Sequence, residues 1–201
     1  MTIKSIISND ELKKFIAVLK ENKNDQVHDV CILMMFTGMR LNEILSLKFE
    51  DIDFHSNTMV ISKTKERANK NCNVVIQFND TIKESFLNIK KKFPDSIWVF
   101  ESRKSNNRSN KEPKSLSRQA ITQVFKNVSS SLNCQITMSA LRHFYATEFM
   151  RAKLSESNSV IDLKKVLGHI SSRNTDYYLG KGRKKTESLM YINEMLDRLR
   201  E

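Results

Sequence analysis

The sequence lacks the features of membrane, secreted and metal-binding proteins. No run approaches eighteen apolar residues, and the first ten residues contain no apolar signal core, so neither a membrane span nor a secretory leader is expected. The cysteines Cys31, Cys72 and Cys134 are few, far apart and odd in number, and no Cys-x-x-Cys pair occurs. A disulfide framework and a zinc site are therefore not expected, and a reducing compartment fits best.

What the sequence has in excess is positive charge. Thirty-four Lys and Arg against twenty-three Asp and Glu give a formal net charge of +11 and an isoelectric point near 9.6. This surplus favours a polyanionic partner, most often nucleic acid, because phosphate contacts release condensed counterions. A basic but ordinary soluble protein explains the composition equally well. We expect a cytoplasmic, nucleoid-associated protein with no membrane partner.

Most of the chain has helical periodicity. Residues 8–11 have the Ser-x-x-Glu form of a capping box, and apolar residues follow at helical spacing, so the first helix is predicted to begin near Asn9. Residues 25–36 become more apolar toward their end and predict a buried helix. Further helices are predicted at 41–47, 81–91, 116–132, 138–151, 160–167 and 186–200.

The middle of the chain has a different pattern. Two short β-branched runs, 58–62 and 74–78, predict a hairpin with a long basic tip at 63–73. Residues 97–100 predict a short strand or a buried extended piece, and the polar, basic residues 101–114 predict a loop. Neither an internal repeat nor a linker is visible. The sequence therefore predicts one compact domain, mainly α with a small antiparallel β-sheet (α+β).

Three motifs carry chemistry. In TGMRLNE, Arg40 follows a Gly turn, and Glu43 is placed to hold its guanidinium. SALRH contains Arg142, and VLGHISSRNTDYYL contains His169 and an adjacent tyrosine pair. Cations that grip a phosphate, followed by a phenol that attacks one, suit phosphoryl transfer onto the protein. Taken singly, each motif is more often a surface ion pair, a helix end or ordinary packing.

Together the motifs resemble a known family. TGMRLNEILSLKFEDIDF, SALRHFYAT and VLGHISSRNTDYYL, in this order and spacing, look like the catalytic domain of the tyrosine recombinases, the phage-integrase family. The resemblance spans residues 8–179 and implies the tyrosine recombinase catalytic-domain fold. It implies an enzyme that cleaves and rejoins double-stranded DNA through a 3′-phosphotyrosyl intermediate, without metal or nucleotide cofactor. Its implied partners are a homo-oligomer on DNA, as a tetrameric synapse, and accessory DNA-bending proteins.

The resemblance assigns catalytic roles by motif position. Arg40 and Arg142 are the two guanidiniums that stabilise negative charge on the scissile phosphate. His169 matches the family's second histidine, which bonds the phosphate or assists the nucleophile's proton. The family's nucleophile lies nine residues after that histidine, which selects Tyr178, and Tyr177 is then a packing neighbour.

Two further assignments are less regular. The leaving 5′-oxygen needs a proton donor, a role the family gives to a hairpin lysine; Lys63 matches best, and Lys65 is the alternative. The family usually has His-x-x-Arg before its second arginine, whereas here Ser139 precedes Arg142 by three residues. A serine hydroxyl can donate to a phosphate oxygen but cannot become cationic, so we expect transition-state stabilisation weaker by about 1–2 kcal/mol. The departure also leaves room for an enzyme that has lost activity.

Three basic segments are predicted to grip DNA outside the catalytic pocket: 63–70, 103–114 and 181–185. A solvated loop is the alternative for each. The candidate DNA contacts are Lys65, Arg67, Lys70, Arg103, Lys104, Arg108, Lys181, Arg183 and Lys184.

Residues 1–201 are thus expected to form a single catalytic domain, with a core at 8–179, a basic hinge at 180–185 and a C-terminal helix at 186–200. That helix either docks on a neighbouring protomer, as in the family, or packs on its own domain. We expect these residues to lack the family's N-terminal core-binding domain and to be either a fragment of a longer integrase or a short recombinase. Two other functions fit: a non-catalytic DNA-binding protein on the same fold, and a nicking-closing enzyme like the type IB topoisomerases.

Overall fold

The structure, a computed structural model, describes residues 8–65, 70–102 and 113–152. Side chains are described throughout these ranges except at 62–73 and 150–152. The chain divides into two compact units, and one of the boundaries between them falls between Gly38 and Met39.

The first unit joins the residues up to Gly38 with those from Asn127 onward. Its first helix, α1 (Asn9–Glu21), begins at the predicted capping box. The Ser8 N–H donates to Glu11 Oε2 (3.0 Å) and the Glu11 N–H donates to Ser8 Oγ (3.2 Å). The bond from the Ser8 N–H, and a second one from the Ser8 hydroxyl to Glu11 Oε2 (2.9 Å), lower the pKa of the Glu11 carboxyl. The two backbone N–H groups of this capping box would otherwise have no partner within the helix, so their bonds fix where the helix starts.

The second helix, α2 (Asp25–Thr37), is the buried centre of this unit and packs against both α1 and α6 (Met138–Ala152). Eight of its residues are buried, among them Cys31, whose thiol pKa is raised by burial. The helix ends at Gly38, which adopts the left-handed conformation common at helix C-termini (φ +63°). The helices predicted at 25–36 and 138–151 are confirmed, and each extends one residue further.

The second unit, Met39–Lys126, begins with α3 (Leu41–Leu45), two residues shorter than predicted. The Ser46 hydroxyl donates to the Glu43 carbonyl (2.9 Å), and the chain leaves the helix there. A 3-10 turn follows at Phe49–Asp51.

A three-stranded antiparallel sheet in the order β1-β2-β3 follows, made of β1 (Ile52–Asp53), β2 (Thr58–Lys65) and β3 (Lys70–Gln77). The β2–β3 ladder runs as far as the Lys65–Lys70 pair. It therefore extends well into 63–73, where the sequence predicts a tip, because backbone pairing does not require apolar side chains. The sequence does not predict β1, since two residues are too few to show alternation.

Two more helices complete the described fold: α4 (Asp80–Lys92), capped by the Asn79 side chain, and α5 (Arg118–Ser131). Residues 97–100 form bends around a single bridge between Lys48 and Trp98, and the predicted strand or extended piece is not present there. Val99 and Phe100 are buried, whereas Ile97 is exposed. The predicted class, mainly α with a small antiparallel sheet, is confirmed. The helices predicted at 160–167 and 186–200 lie outside the described residues.

Candidate active site

Arg40 is held by a local ion pair at the start of α3. It is the residue just before the helix, in extended conformation (φ −77°, ψ 147°). Its backbone N–H donates to Glu43 Oε2 (2.7 Å), and its Nη1 donates to Glu43 Oε1 (3.1 Å). The Arg40 side chain is nevertheless 47% exposed. The Glu43 carboxylate therefore binds both the backbone N–H and the guanidinium of Arg40, and the guanidinium remains accessible to solvent.

Arg142 is held by a contact that is distant in sequence. It lies in the second turn of α6, is buried, and its Nη1 donates to the carbonyl of Gly38 (2.5 Å), 104 residues earlier. Gly38 is the residue just after α2, so its carbonyl has no partner within that helix. A guanidinium is well suited to this place, because it is permanently charged and strongly hydrogen-bonding.

Ser139 lies in the first turn of α6 and is exposed. Beside it, the Ala140 N–H donates to Thr137 Oγ1 (3.2 Å), which caps the start of the helix. Ser139 precedes Arg142 by three residues, so the two share one face of α6. The positive end of the helix dipole favours an anion at this position.

Tyr145 follows Arg142 by three residues, and its ring lies against Gly38. A Cβ atom added to Gly38 would lie only 2.6 Å from Tyr145 Cε1 and 3.0 Å from Cγ, and closer still to Cδ1. Burial raises the pKa of the Tyr145 phenol to about 12, although the positive charge of Arg142 opposes the rise. Raising the pKa of a phenol makes its nucleophilic phenolate harder to form, so burial makes Tyr145 a poor nucleophile.

The sequence marks Gly38 only as a turn before Arg40, and it does not single out Tyr145, although both touch the site. The one available signal is spacing, because Tyr145 lies three residues after Arg142 and therefore on the same face of α6. That spacing says nothing about Gly38, which is reached only through the packing of α6 on α2.

The hairpin lysines have described backbones. Lys63 pairs with Cys72, and Lys65 pairs with Lys70 at the end of the described ladder. Lys63 and Lys65 are two residues apart on β2, so they have the same parity along the strand. Strand geometry therefore does not choose between them as proton donor.

The structure distributes the predicted site residues between the two units. Ser139 and Arg142 come together on α6 in the first unit, and Arg40 and Lys63 belong to the second. The remaining predicted residues lie outside the described ranges, and their roles stay predictions: Arg67, Arg103, Lys104, Arg108, His169, Tyr178, Lys181, Arg183 and Lys184.

Within 8–65, 70–102 and 113–152, no three His, Cys, Asp or Glu residues are grouped so as to hold a metal ion. No helix in that part of the chain is long and apolar enough to cross a bilayer.

The model of the phage integrase family matches residues 5–184. Among curated proteins, the chain is 26% identical over 179 residues to the tyrosine recombinase XerA of Pyrococcus furiosus, a match covering 88% of this chain and 57% of that protein. It is 24% identical over 170 residues to the TnP I resolvase of Bacillus thuringiensis, covering 84% and 54%. The chain thus spans just over half the length of these relatives.

Solved structures with the same fold include the crystal structure of XerA recombinase, with a TM-score of 0.65 and 21% identity, covering 100% of this chain and 67% of that one. They also include the Tn1549 transposon integrase in complex with transposon right end DNA, with a TM-score of 0.67 and 16% identity over the same shares. At these identities the likeness establishes the fold of the chain.

Proposed function

Because the chain belongs to the phage integrase family, we propose that it acts as the catalytic domain of a site-specific DNA recombinase. It cleaves and rejoins DNA strands through a 3′-phosphotyrosyl intermediate. The substrate is double-stranded DNA, and catalysis by Arg40, Lys63, Ser139, Arg142, His169 and Tyr178 is part of the proposal.

The observation that carries the proposal is the hydrogen bond from Arg142 to the carbonyl of Gly38. Gly38 belongs to the same short motif as Arg40 and precedes it by two residues. Consecutive Cα atoms are 3.8 Å apart, so chain connectivity alone keeps the Cα of Arg40 within about 7.6 Å of that of Gly38. Both arginines are assigned to the same scissile phosphate as part of this proposal, and the family match supports that assignment.

The chemistry balances without any group beyond these side chains. Tyr178 Oη forms a bond to the scissile phosphorus while the bond from phosphorus to the 5′-oxygen breaks. The phenol loses its proton with the assistance of His169, and the 5′-oxygen takes a proton from Lys63, or from Lys65 as the alternative donor. Rejoining is the reverse step with the 5′-hydroxyl of another strand, and the phosphotyrosyl bond preserves the energy it needs.

Negative charge grows on the nonbridging oxygens in the transition state, and preorganised cations stabilise it there. Arg40 is preorganised by Glu43, and Arg142 by Gly38. Ser139 adds a neutral hydroxyl at the N-terminal end of α6. Because it replaces a charged donor, cleavage is expected to be about 5–30-fold slower than with histidine at this position.

DNA as partner is supported by the net charge of +11 and by the Tn1549 transposon integrase, a protein of the same fold that is in complex with transposon DNA. The basic segments 63–70, 103–114 and 181–185 are proposed to hold the backbone beyond the scissile phosphate. We further propose a homo-oligomeric synapse on DNA, a contact from helix 186–200 to a neighbouring protomer, and a cytoplasmic, nucleoid-associated location.

A suicide substrate tests the reaction. The full chain is incubated with a pool of duplexes of randomised sequence, each nicked beside the candidate cleavage position. Cleavage then releases a short fragment that carries the 5′-hydroxyl. Because this fragment diffuses away, the strand cannot be rejoined and the covalent adduct accumulates. The wild-type protein and Tyr177→Phe are expected to form a denaturant-resistant protein–DNA adduct, whereas Tyr178→Phe is expected to form none. An adduct that persists in Tyr178→Phe would refute the assigned nucleophile.

The second candidate is a non-catalytic DNA-binding protein on the same fold. The exposed Ser139, in place of the family's usual histidine, favours it. This candidate predicts that the wild-type chain shifts duplex DNA in a gel but forms no adduct with the nicked pool, even after long incubation.

A further inference from the structure

Gly38 occupies a position that a larger residue cannot share. Its φ of +63° lies in the left-handed region, which L side chains rarely adopt. Its Cα faces the ring of Tyr145, which occupies the space a Cβ would need. Its carbonyl accepts the hydrogen bond from Arg142. Gly38 is therefore constrained in three ways: by its backbone conformation, by the Tyr145 ring and by the hydrogen bond from Arg142.

Arg142 and Tyr145 reach this residue from the same face of α6. They are three residues apart on the helix, so both can contact Gly38: the Arg142 guanidinium binds its carbonyl, and the Tyr145 ring packs against its Cα. The ring also lies beside Phe149, with 6.0 Å between ring centres. Two contacts from one rigid helix fix the carbonyl more firmly than the hydrogen bond alone.

Tyr145 contributes shape rather than charge. Burial raises the pKa of its phenol to about 12, so the ring is neutral at physiological pH and does not compete with a phosphate for Arg142. We expect a phenylalanine ring to serve equally well at this position.

We propose that Tyr145 is a positioning residue: its ring, seated on Gly38, holds the end of α2 where the Gly38 carbonyl orients the Arg142 guanidinium for the scissile phosphate. This role rests on the recombinase function proposed above. It predicts that loss of the ring slows cleavage at a charged phosphate more than cleavage at a neutral analogue. A general loss of protein stability would slow both equally.

The test compares two nicked suicide substrates that share a sequence cleaved by the wild-type chain. One has an ordinary scissile phosphate, and the other has a methylphosphonate, in which a methyl group replaces one charged nonbridging oxygen. The neutral substrate needs less cationic stabilisation, so a misplaced arginine matters less for its cleavage. Arg142→Ala provides the reference for complete loss of that stabilisation.

Tyr145→Ala is expected to slow adduct formation on the phosphate substrate by about 10–100-fold, because misplacement of a catalytic group by about 1 Å costs up to about 100-fold. On the methylphosphonate the defect should shrink to about twofold or less, while DNA affinity changes little. Gly38→Ala should behave in the same way, and Tyr145→Phe should cleave both substrates like the wild type.

Phe15→Ala, in the fully buried core of α1, is the control for stability. It removes a buried ring from a different helix, so it is expected to lower the unfolding temperature and to leave the ratio of the two cleavage rates unchanged. If Tyr145→Ala is too unstable to assay, Tyr145→Leu keeps apolar bulk and removes the flat ring, and it should reproduce the charge-selective defect.

Equal defects on the two substrates, in Tyr145→Leu and Gly38→Ala, would overturn the positioning role while leaving the recombinase function intact. Wild-type rates in both variants would do the same. If the wild-type chain forms an adduct with no duplex of the nicked pool, the recombinase function is overturned instead, and the positioning role with it.

Discussion

The two arginines of the candidate site are fixed in different ways. Arg40 is exposed and is gripped by Glu43, a partner three residues away. Arg142 is buried and is gripped by the carbonyl of Gly38, 104 residues away in the chain. The first anchor needs only one short helix, whereas the second needs α6 to be packed on α2. If both arginines serve one phosphate, the difference between them should appear in stability rather than in chemistry.

The largest effect is expected from replacing each arginine by alanine. Both Arg40→Ala and Arg142→Ala should slow adduct formation by about 100–1000-fold, the usual loss when one donor to transition-state charge is removed. Only Arg142→Ala should also lower the free energy of unfolding, by about 1–3 kcal/mol, because the Gly38 carbonyl loses its buried partner. Adduct kinetics and urea unfolding measure the two quantities. Equal destabilisation by both variants would contradict the distinction between the anchors.

A smaller effect, and a gain, is expected from Ser139→His. Histidine adds a charged donor in the first turn of α6 below its usual pKa of about 6.5. We expect adduct formation about 5–30-fold faster than wild type at pH 6, with the advantage declining as pH rises through 7. Ser139→Ala is the control, and its pH profile should match the wild type. A gain that does not depend on pH would show that charge is not the cause.

A still smaller effect is expected from Glu43→Gln, which weakens the local anchor. The amide still accepts the Arg40 backbone N–H, but its bond to the guanidinium is no longer assisted by charge. We expect adduct formation to fall about fivefold, equivalent to about 1 kcal/mol, with the unfolding free energy nearly unchanged. The comparison variant is Glu21→Gln at the end of α1, outside the motif. A similar loss of rate in that variant would mean that the Arg40 pair is not responsible.

The smallest effect concerns Tyr145 and alkaline pH. Its folded pKa is raised to about 12 by burial, so the contribution of the neutral ring to stability is complete below its unfolded pKa near 10 and is lost as pH rises toward 12. Urea unfolding between pH 9 and 12 should show a steeper decline for the wild type than for Tyr145→Phe, which lacks the titrating group. Parallel curves would indicate that the phenol is accessible to solvent.

The contrast between the anchors also explains what the sequence could predict. The Arg40–Glu43 pair and the capping box at Ser8 follow from three-residue spacing, and both are present. The hydrogen bond from Arg142 to Gly38 and the contact of the Tyr145 ring with Gly38 depend on how α6 packs against α2. Residue spacing does not predict that packing. The strand β1 is missed for another reason, since two residues cannot display a period.

The hairpin is an intermediate case. Its apolar halves predict the pairing of 58–62 with 74–78, but the polar continuation of the ladder to Lys65 and Lys70 has no hydrophobic signal. For this reason Lys63 sits in a regular strand rather than in the predicted tip, and the choice between it and Lys65 as proton donor needs rate measurements on each variant.

An experimental structure of the chain bound to nicked DNA would show whether Arg40 and Arg142 act on one phosphate, as proposed. Both guanidiniums are expected to donate to nonbridging oxygens of the same scissile phosphate, at about 2.7–3.2 Å, with Arg142 still bonded to the Gly38 carbonyl. A structure in which the two arginines contact different phosphates, or in which either one turns away from the DNA, would refute this proposal.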